Sequence, residues 1–334
     1  MVVAARLAGV DAGVEATLQS HQSLEHPYVS VVVSTRNHGR WLSALVKAVM
    51  SQNFEGSLEL IVCDNASTDN TLAIMRQAVA EAARPITYVR LSRDEGPAGG
   101  RNRGLFLARG RFIAFTDSDC VPSPGWLRAV LTGFHQPAVG IVQGKTVGLE
   151  PRTPLFSHHI ETARLDGHFS TSNIVYRADA LQGRWFDPRC CYWEDADLGW
   201  RVIAAGWRVV FVQDALVAHQ VIPLSPFGWF TWAWKFSKWP AKVQRYPGFR
   251  KYLFLGLWVR PLHMLFDLAL LGLGLSLRWR LASLLCLPYL LSFARSRRLS
   301  GKFPPAKFAA HVGWDLIAFV SLTASSIRHR SLVL

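Results

Sequence analysis

The sequence predicts an α/β domain with a mixed, mostly parallel sheet, followed by a helical tail of different character. Three observations carry this. Short β-branched runs such as Tyr28–Ser34 (YVSVVVS) and Leu58–Cys63 (LELIVC) alternate with stretches of helical spacing. Several of these runs end abruptly in acidic residues. The charge is also divided unequally. Residues 228–334 hold 16 Lys and Arg but only Asp267 and Asp315 as acids, leaving 21 basic and 21 acidic residues in 1–227 out of totals of 37 and 23.

In chain order, residues 1–27 lack a basic cluster followed by an apolar core long enough for a secretory signal. They read as a variable, partly disordered lead-in, and the main domain is expected to face the cytoplasm. Tyr28–Ser34 is a buried parallel strand. Trp41–Gln52 places Trp41, Leu45, Ala48 and Val49 at helical spacing. Leu58–Cys63 is the next strand, followed by Asp64-Asn65-Ala66-Ser67-Thr68-Asp69. Thr71–Ala83 is a helix that Asp69 or Thr68 could cap. Ile86–Leu91 is a third strand, Gly96–Gly104 a glycine-rich loop, Leu105–Arg109 helical, and Arg111–Thr116 a fourth strand. Helices Trp126–Phe134 and Asp195–Ala205 and strands Val139–Val147, Asn173–Tyr176 and Trp207–Phe211 complete the domain. Such alternation calls for right-handed crossovers. Ligands in these sheets sit beyond the carboxyl ends of the strands, where Asp64 and Asp117 lie.

The most informative stretch is 111–119, where an apolar run ends in Asp117 and Asp119, one residue apart. Two hard oxygen ligands there suit a divalent cation carrying a diphosphate. A lone Asp-x-Asp is more often a turn or a helix cap, so the reading rests on several signals in one order. A second acidic pair follows in Trp193-Glu194-Asp195-Ala196-Asp197-Leu198. The five cysteines (63, 120, 190, 191, 286) show no Cys-x-x-Cys spacing, which fits structural thiols in a reducing compartment.

After Pro223 the chain becomes aromatic and basic. Trp229, Trp232, Phe236, Trp239, Val243 and Tyr246 recur every three or four residues, with Lys235, Lys238, Lys242 and Arg245 on a neighbouring face. This is an interfacial-helix pattern, aromatics at headgroup depth and lysines on phosphates, interrupted at Pro240. The alternative is a helix packed on protein. Apolar segments 261–277, 281–293 and 308–327 follow. None is a secure span, because about 20 apolar residues are needed and His263, Asp267, His311 and Asp315 interrupt two of them. Five basic residues in 294–307 predict a cytoplasmic loop, with a hairpin from 253 to 293 that enters and returns. The basic excess points to anionic lipid. Nucleic acid is not expected as a partner, since the charges are interleaved with long apolar runs.

Residues 28–220 resemble the family 2 glycosyltransferases with their GT-A type nucleotide-sugar domain. Ser34-Thr35-Arg36-Asn37 resembles the family's Pro-Thr-Tyr-Asn turn, although Arg36 removes the stacking aromatic. Cys63-Asp64-Asn65-Ala66-Ser67-Thr68-Asp69 resembles the Asp-Asp-Gly-Ser-Thr-Asp segment that holds the nucleoside. Gly99-Gly100-Arg101-Asn102-Arg103-Gly104 resembles the Ala-Arg-Asn-x-Gly loop. Thr116-Asp117-Ser118-Asp119 matches the metal motif, 193–201 the acidic catalytic segment, and 214–219 the strand leading to a late His.

The resemblance implies an enzyme that moves a sugar from a nucleotide-diphosphate donor, UDP-sugar favoured, with inversion by single displacement. Thr35, Asn37, Asp64, Ser67, Arg101, Asn102 and Asp117 are its expected donor-site residues. A departing diphosphate needs a cation, Mn or Mg, expected on Asp119; Asp117 is expected to reach the ribose or the ion through water, and His219 either completes the coordination or is a hydrogen-bonded core histidine. A hydroxyl acceptor needs a carboxylate base. Asp195 is the candidate and Glu194 its partner, with Asp197 as a helix cap and with Asn173 and Trp193 on the acceptor side. The acceptor is expected to be lipid-linked or membrane-presented, as in polysaccharide or glycolipid assembly. The alternatives are a polyprenyl-phosphate sugar synthase, whose anionic acceptor needs no strong base, and a catalytically silent sugar-nucleotide-binding assembly subunit. A phosphoryl or nucleotidyl transferase lacks its Gly-rich Lys-Ser/Thr signature here. The domains expected are the lead-in (1–27), a catalytic domain (28–222), interfacial helices (223–252) and a membrane-associated helical region (253–334), on the cytoplasmic face of the cell membrane.

Overall fold

The computed structural model describes residues 13–20, 26–150, 154, 156–158, 160–190, 192–300 and 305–334. The chain forms two compact units: Met1–Thr153 with His159–Val221, and Pro154–His158 with Ile222–Leu334.

The first unit is built on a nine-stranded sheet in the order β1-β4-β3-β2-β5-β9-β7-β10-β6. The strands are β1 (Val14–Gln19), β2 (Val29–Thr35), β3 (Leu58–Asp64), β4 (Ile86–Leu91), β5 (Phe112–Phe115), β6 (Cys120–Pro122), β7 (Val139–Gly148), β9 (Ile174–Arg177) and β10 (Arg208–His219). The block β4-β3-β2-β5 is parallel, as is the β7–β10 pair, whereas β1, β6 and β9 pair antiparallel with their neighbours. The sheet is therefore mixed, with its parallel half where the β-branched runs lie. Those runs are mostly apolar because helices α1 (Gly39–Met50), α2 (Thr71–Ala80), α3 (Gly96–Leu107) and α4 (Trp126–Thr132) accompany the crossovers; their buried polar members, Ser30 and Glu59, hydrogen-bond to each other. In the β2–β3 register Thr35 stands beside Asp64, so two expected site residues share one strand edge.

Three elements differ from the sequence expectation. Part of the lead-in is a strand: Val14–Gln19 alternates half-buried with exposed residues and closes the β4 edge. The glycine-rich stretch is helical from Gly96, with Pro97 in its first turn, where the missing N–H costs nothing. Its glycines serve close approach. A Cβ at Gly100 would fall 2.2 Å from Ser34 Oγ, and one at Gly104 would fall 2.3 Å from Val32 Cγ1. β10 runs well past Phe211, with a register shift against β7 between Val212 and Leu216, and ends with His219 opposite Cys120 of β6. That irregularity places the late histidine beside the acidic turn.

The second unit contains the short pair β8 (Ser157–His158) and β11 (Ile222–Pro223). Its helices are α6 (Pro226–Trp234), α7 (Trp239–Arg245), α8 (Pro261–Ser276), α9 (Leu287–Ser300) and α10 (Pro305–His329), with 3₁₀ turns at Lys235–Lys238 and Arg280–Cys286. Pro240 lies at the start of α7, where the expected break falls. The aromatic stripe does not face outward. Trp229 and Phe236 are each only 8% exposed and pack on Trp314 of α10, with ring centroids 4.3 and 6.4 Å apart. Lys242 is buried, its ammonium 5.3 Å from the Trp239 ring centre. The stripe has found a protein partner in α10, so these residues are not the headgroup contacts expected of them. Phe227 and Trp234 are exposed instead. The predicted loop begins as helix, since α9 continues to Ser300; residues 301–304 lie outside the described residues. α10 includes one stretch, Phe308–His329, long and apolar enough to cross a membrane by length and composition.

Candidate active site

The site grows from the carboxyl ends of β2, β3 and β5. Two turns with left-handed residues, Asn37 (φ 54°) and Ala66 (φ 54°), leave β2 and β3. They are stitched together. The Asn37 N–H donates to Ser67 Oγ (2.9 Å), and the Thr68 N–H donates to Asn37 Oδ1 (2.7 Å). Asp69 closes the first turns of two helices, accepting from the Gly39 and Thr71 N–H groups at 3.0 Å each. Asp64 is fully buried. It accepts from the Ser67 N–H at 2.8 Å and the Tyr88 hydroxyl at 2.6 Å, with Arg90 at 3.7 Å. Its carboxylate thus holds the nucleoside-side turn and has both oxygens engaged. Beside it, the buried Thr35 hydroxyl has no hydrogen-bond partner among the described residues. An orphaned buried polar atom at a strand end suits a ligand that would satisfy it.

The acidic turn after β5 is tied to this edge by His38, whose Nδ1 lies 2.8 Å from Ser118 Oγ. Asp119 is buried, and its Oδ1 is 3.6 Å from His219 Nε2. Burial pushes the Asp119 carboxyl above its ordinary range; His219 opposes that rise and Asp117 adds to it. With Nδ1–H donating to the Gln220 carbonyl (2.7 Å), His219 turns its Nε2 edge toward the carboxylates. Asp117, Asp119, Cys120 and His219 each offer a ligand atom within 4.8 Å of the others. Cys120 is the weak member. Burial, then Asp117 and Asp119, push its thiol well above its ordinary pKa, and sulfur is a soft ligand beside hard carboxylate oxygens. Two carboxylates and one correctly oriented imidazole remain, a donor set that fits Mn or Mg.

Arg101 connects this cluster to the second acidic pair. It reaches Glu194 Oε1 at 2.8 Å and Asp117 Oδ1 at 3.2 Å. Burial works against its charge, but Asp117, Glu194 and Asp195 outweigh that and hold its pKa above the ordinary value. Glu194 and Asp195 open α5 (Glu194–Ala204), where the helix dipole favours acids. Trp193 precedes them as the cap residue, its carbonyl accepting from the Asp197 N–H at 3.0 Å. Asp197 itself is fully buried and takes Arg201 Nε at 2.7 Å, so its side chain is an ion-pair partner rather than a cap. Hydrogen bonds and chain neighbours therefore link Asp64 through Ser67, Asn37 and His38 to the acidic turn at Ser118, and Arg101 links that turn's Asp117 to Glu194 beside Asp195.

Two expected site residues are used elsewhere. Asn173 is fully buried. Its Nδ2 donates to the Lys145 and Ala215 carbonyls, both at 2.8 Å, and its Oδ1 accepts from Trp126 Nε1 at 2.8 Å. Its amide brackets β7, β10 and α4 and leaves nothing for an acceptor. Asn102 pairs through both ends of its amide with the Phe186 backbone, each bond 2.8 Å, and so fixes the loop leading to α5. A cleft of about 670 Å³ lies along another face of α3, lined by Gly99, Asn102, Arg103, Phe106 and neighbours. Of the expected residues only Asn102 borders it, and the acidic cluster lies outside it. His38 was not among the expected residues, and Cys120 was read only as a structural thiol, although each adjoins an expected residue.

Family models for "Glycosyl transferase family 2" and "Glycosyl transferase family group 2" match residues 30–191 and 112–320. The chain belongs to the family 2 glycosyltransferases. A pre-mycofactocin glycosyltransferase from Mycobacterium tuberculosis is 31% identical over 211 residues, covering 58% of this chain and 43% of the relative. The Escherichia coli UDP-Glc:alpha-D-GlcNAc-diphosphoundecaprenol beta-1,3-glucosyltransferase WfaP is 35% identical over 91 residues, 27% of this chain and 35% of that one. The chain thus spans less than half the length of either relative. Among solved structures, the mannosyltransferase PcManGT from Pyrobaculum calidifontis, in complex with GDP-Man and Mn2+, aligns with a TM-score of 0.54 at 17% identity, covering 98% of this chain and 93% of that one. S. aureus TarS 1-349 in complex with UDP aligns with a TM-score of 0.51 at 17% identity, covering 91% and 92%. At that identity the likeness shows the fold, which is the GT-A fold expected.

Proposed function

We propose that this family 2 glycosyltransferase is metal-dependent and inverting, and that it moves a sugar from a UDP-sugar to a hydroxyl of a lipid-linked or membrane-presented glycan. The observation that carries the reading is the Arg101 bridge, which gathers the acidic turn and the Glu194-Asp195 pair at one end of the sheet. Two matched relatives support the acceptor class, because their names give undecaprenyl-diphosphate-linked glycans as acceptors. UDP and GDP-Man with Mn2+ in the aligned structures support the donor class.

Asp119, Asp117 and His219 would hold the cation, which when bound neutralises the charge that builds on the departing diphosphate. The Thr35–Asp64 edge positions the nucleoside. Arg101 keeps Asp117 and Glu194 in place and supplies positive charge between them. Asp195 accepts the proton of the attacking hydroxyl as its oxygen bonds the anomeric carbon, and one displacement inverts that centre. The chain's place is taken to be the cytoplasmic face of the membrane, through residues 223–334.

Full-length protein incubated with UDP-glucose, Mn2+ and undecaprenyl-diphosphate-linked N-acetylglucosamine tests this. The expected product carries a second sugar whose new bond survives mild acid. A singly glycosylated, acid-labile lipid phosphate formed from undecaprenyl phosphate would favour the polyprenyl-phosphate synthase. Failure of every UDP-sugar to transfer or to be hydrolysed would favour the silent binder.

A further inference from the structure

α10 contains the stretch that length and composition single out as a span, but its neighbours place it otherwise. It runs beside α6, the 3₁₀ turn and α7 over nearly its whole length. Trp314 packs on Trp229, Ser321 Oγ lies 3.5 Å from the Ala233 carbonyl, Ser325 Oγ donates to the Ser237 carbonyl (2.5 Å), and His329 meets Gln244 at 3.3 Å. That companion segment carries Lys238 and Arg245, both exposed. Lys238 lies level with Ser325 and Arg245 level with His329, so a crossing α10 would hold Lys238 about one turn inside its C-terminal end, where a charge is costly. The face of α10 away from its serines is different. Leu316, Val320, Ala324 and Ile327, spaced four, four and three, are all exposed. This is the stripe of a helix lying in an interface.

The hairpin of α8 and Arg280–Cys286 is also exposed and apolar, with Leu277 at 93% and Leu281 at 80% exposure. Its hydroxyls need no water: Ser276 and Ser283 donate to the carbonyls of Leu273 and Arg280, at 2.7 and 2.8 Å, as Ser292 of α9 does to that of Tyr289 at 2.6 Å. Arg278 and Arg280 flank Trp279 at its tip, a trio suited to headgroup depth. With 16 basic residues against two acids in 228–334, the complementary surface is anionic lipid.

We propose that the helical unit is monotopic: α10 lies in the plane of an anionic bilayer, its Leu316–Ile327 stripe in one leaflet beside the α8 hairpin, and does not cross. This rests on the membrane reading of residues 223–334 and not on sugar transfer, so its test uses no activity. Full-length protein carrying Lys302→Cys (just before α10 in the sequence) or Arg328→Cys is mixed with sealed phosphatidylglycerol/phosphatidylcholine vesicles. After flotation it is treated with a membrane-impermeant maleimide, and labelling of the unsubstituted chain is subtracted. Both positions are expected to label fully from outside, with no increase when detergent is added. A position reached only after detergent would overturn the proposal by showing that α10 crosses. Failure to float with the anionic vesicles would overturn it too, by showing that the surface does not meet lipid.

Discussion

Asp195→Asn is expected to lower the rate of sugar transfer by about 10²–10⁴-fold, the range that a positioned general base contributes, while donor binding stays intact. The substitution keeps size and shape at the start of α5, where Asp195 Oδ1 accepts the following N–H at 2.8 Å. It removes the proton acceptor and one negative charge facing Arg101. The measurement is kcat for transfer beside calorimetric affinity for UDP. A kcat within a few-fold of wild type would remove Asp195 from the base role and leave Glu194 as the candidate.

Asp119→Asn is expected to act one step earlier. A buried carboxylate facing His219 Nε2 at 3.6 Å is the strongest candidate ligand. Loss of a mere outer partner of a metal ligand costs about 10–100-fold in affinity or activity, so losing a direct ligand should cost at least that much. Calorimetry of Mn2+ with UDP present should show the loss, and transfer should fall with it. Unchanged Mn2+ affinity would move the cation away from this turn. The two variants thus separate donor capture from proton removal.

The parallel half of the sheet was legible because strands buried on both faces are rich in β-branched and aliphatic residues, as Val31–Val33 and Leu60–Val62 are. The acid pairs were legible because a carboxylate where a strand ends has few structural reasons to be repeated. What was hidden depends on partners distant in sequence. Asp64 is engaged by Tyr88, on a strand brought alongside by register. Arg101 is 93 residues from Glu194. Asn102 and Asn173 carry the residue types of a binding site, but backbone groups far along the chain consume their amides. The glycines of α3 read as a loop because glycine usually marks one; here they are spaced to let a helix touch β2. The aromatic stripe after Pro223 has the period of an interfacial helix, and period alone does not tell lipid from a neighbouring helix.

In the proposed mechanism one cation site, bounded by Asp117, Asp119 and His219, serves a donor lying between the β2–β3 edge and α5. Crystals grown with Mn2+ and UDP, with anomalous data at the manganese edge, test it most directly. The expected result is a single anomalous peak within coordination distance of Asp119 and His219, with the diphosphate on the same ion and the uridine against Thr35 and Asp64. A peak elsewhere, or UDP bound along the Gly99–Phe106 face of α3 away from Asp119, would contradict the account.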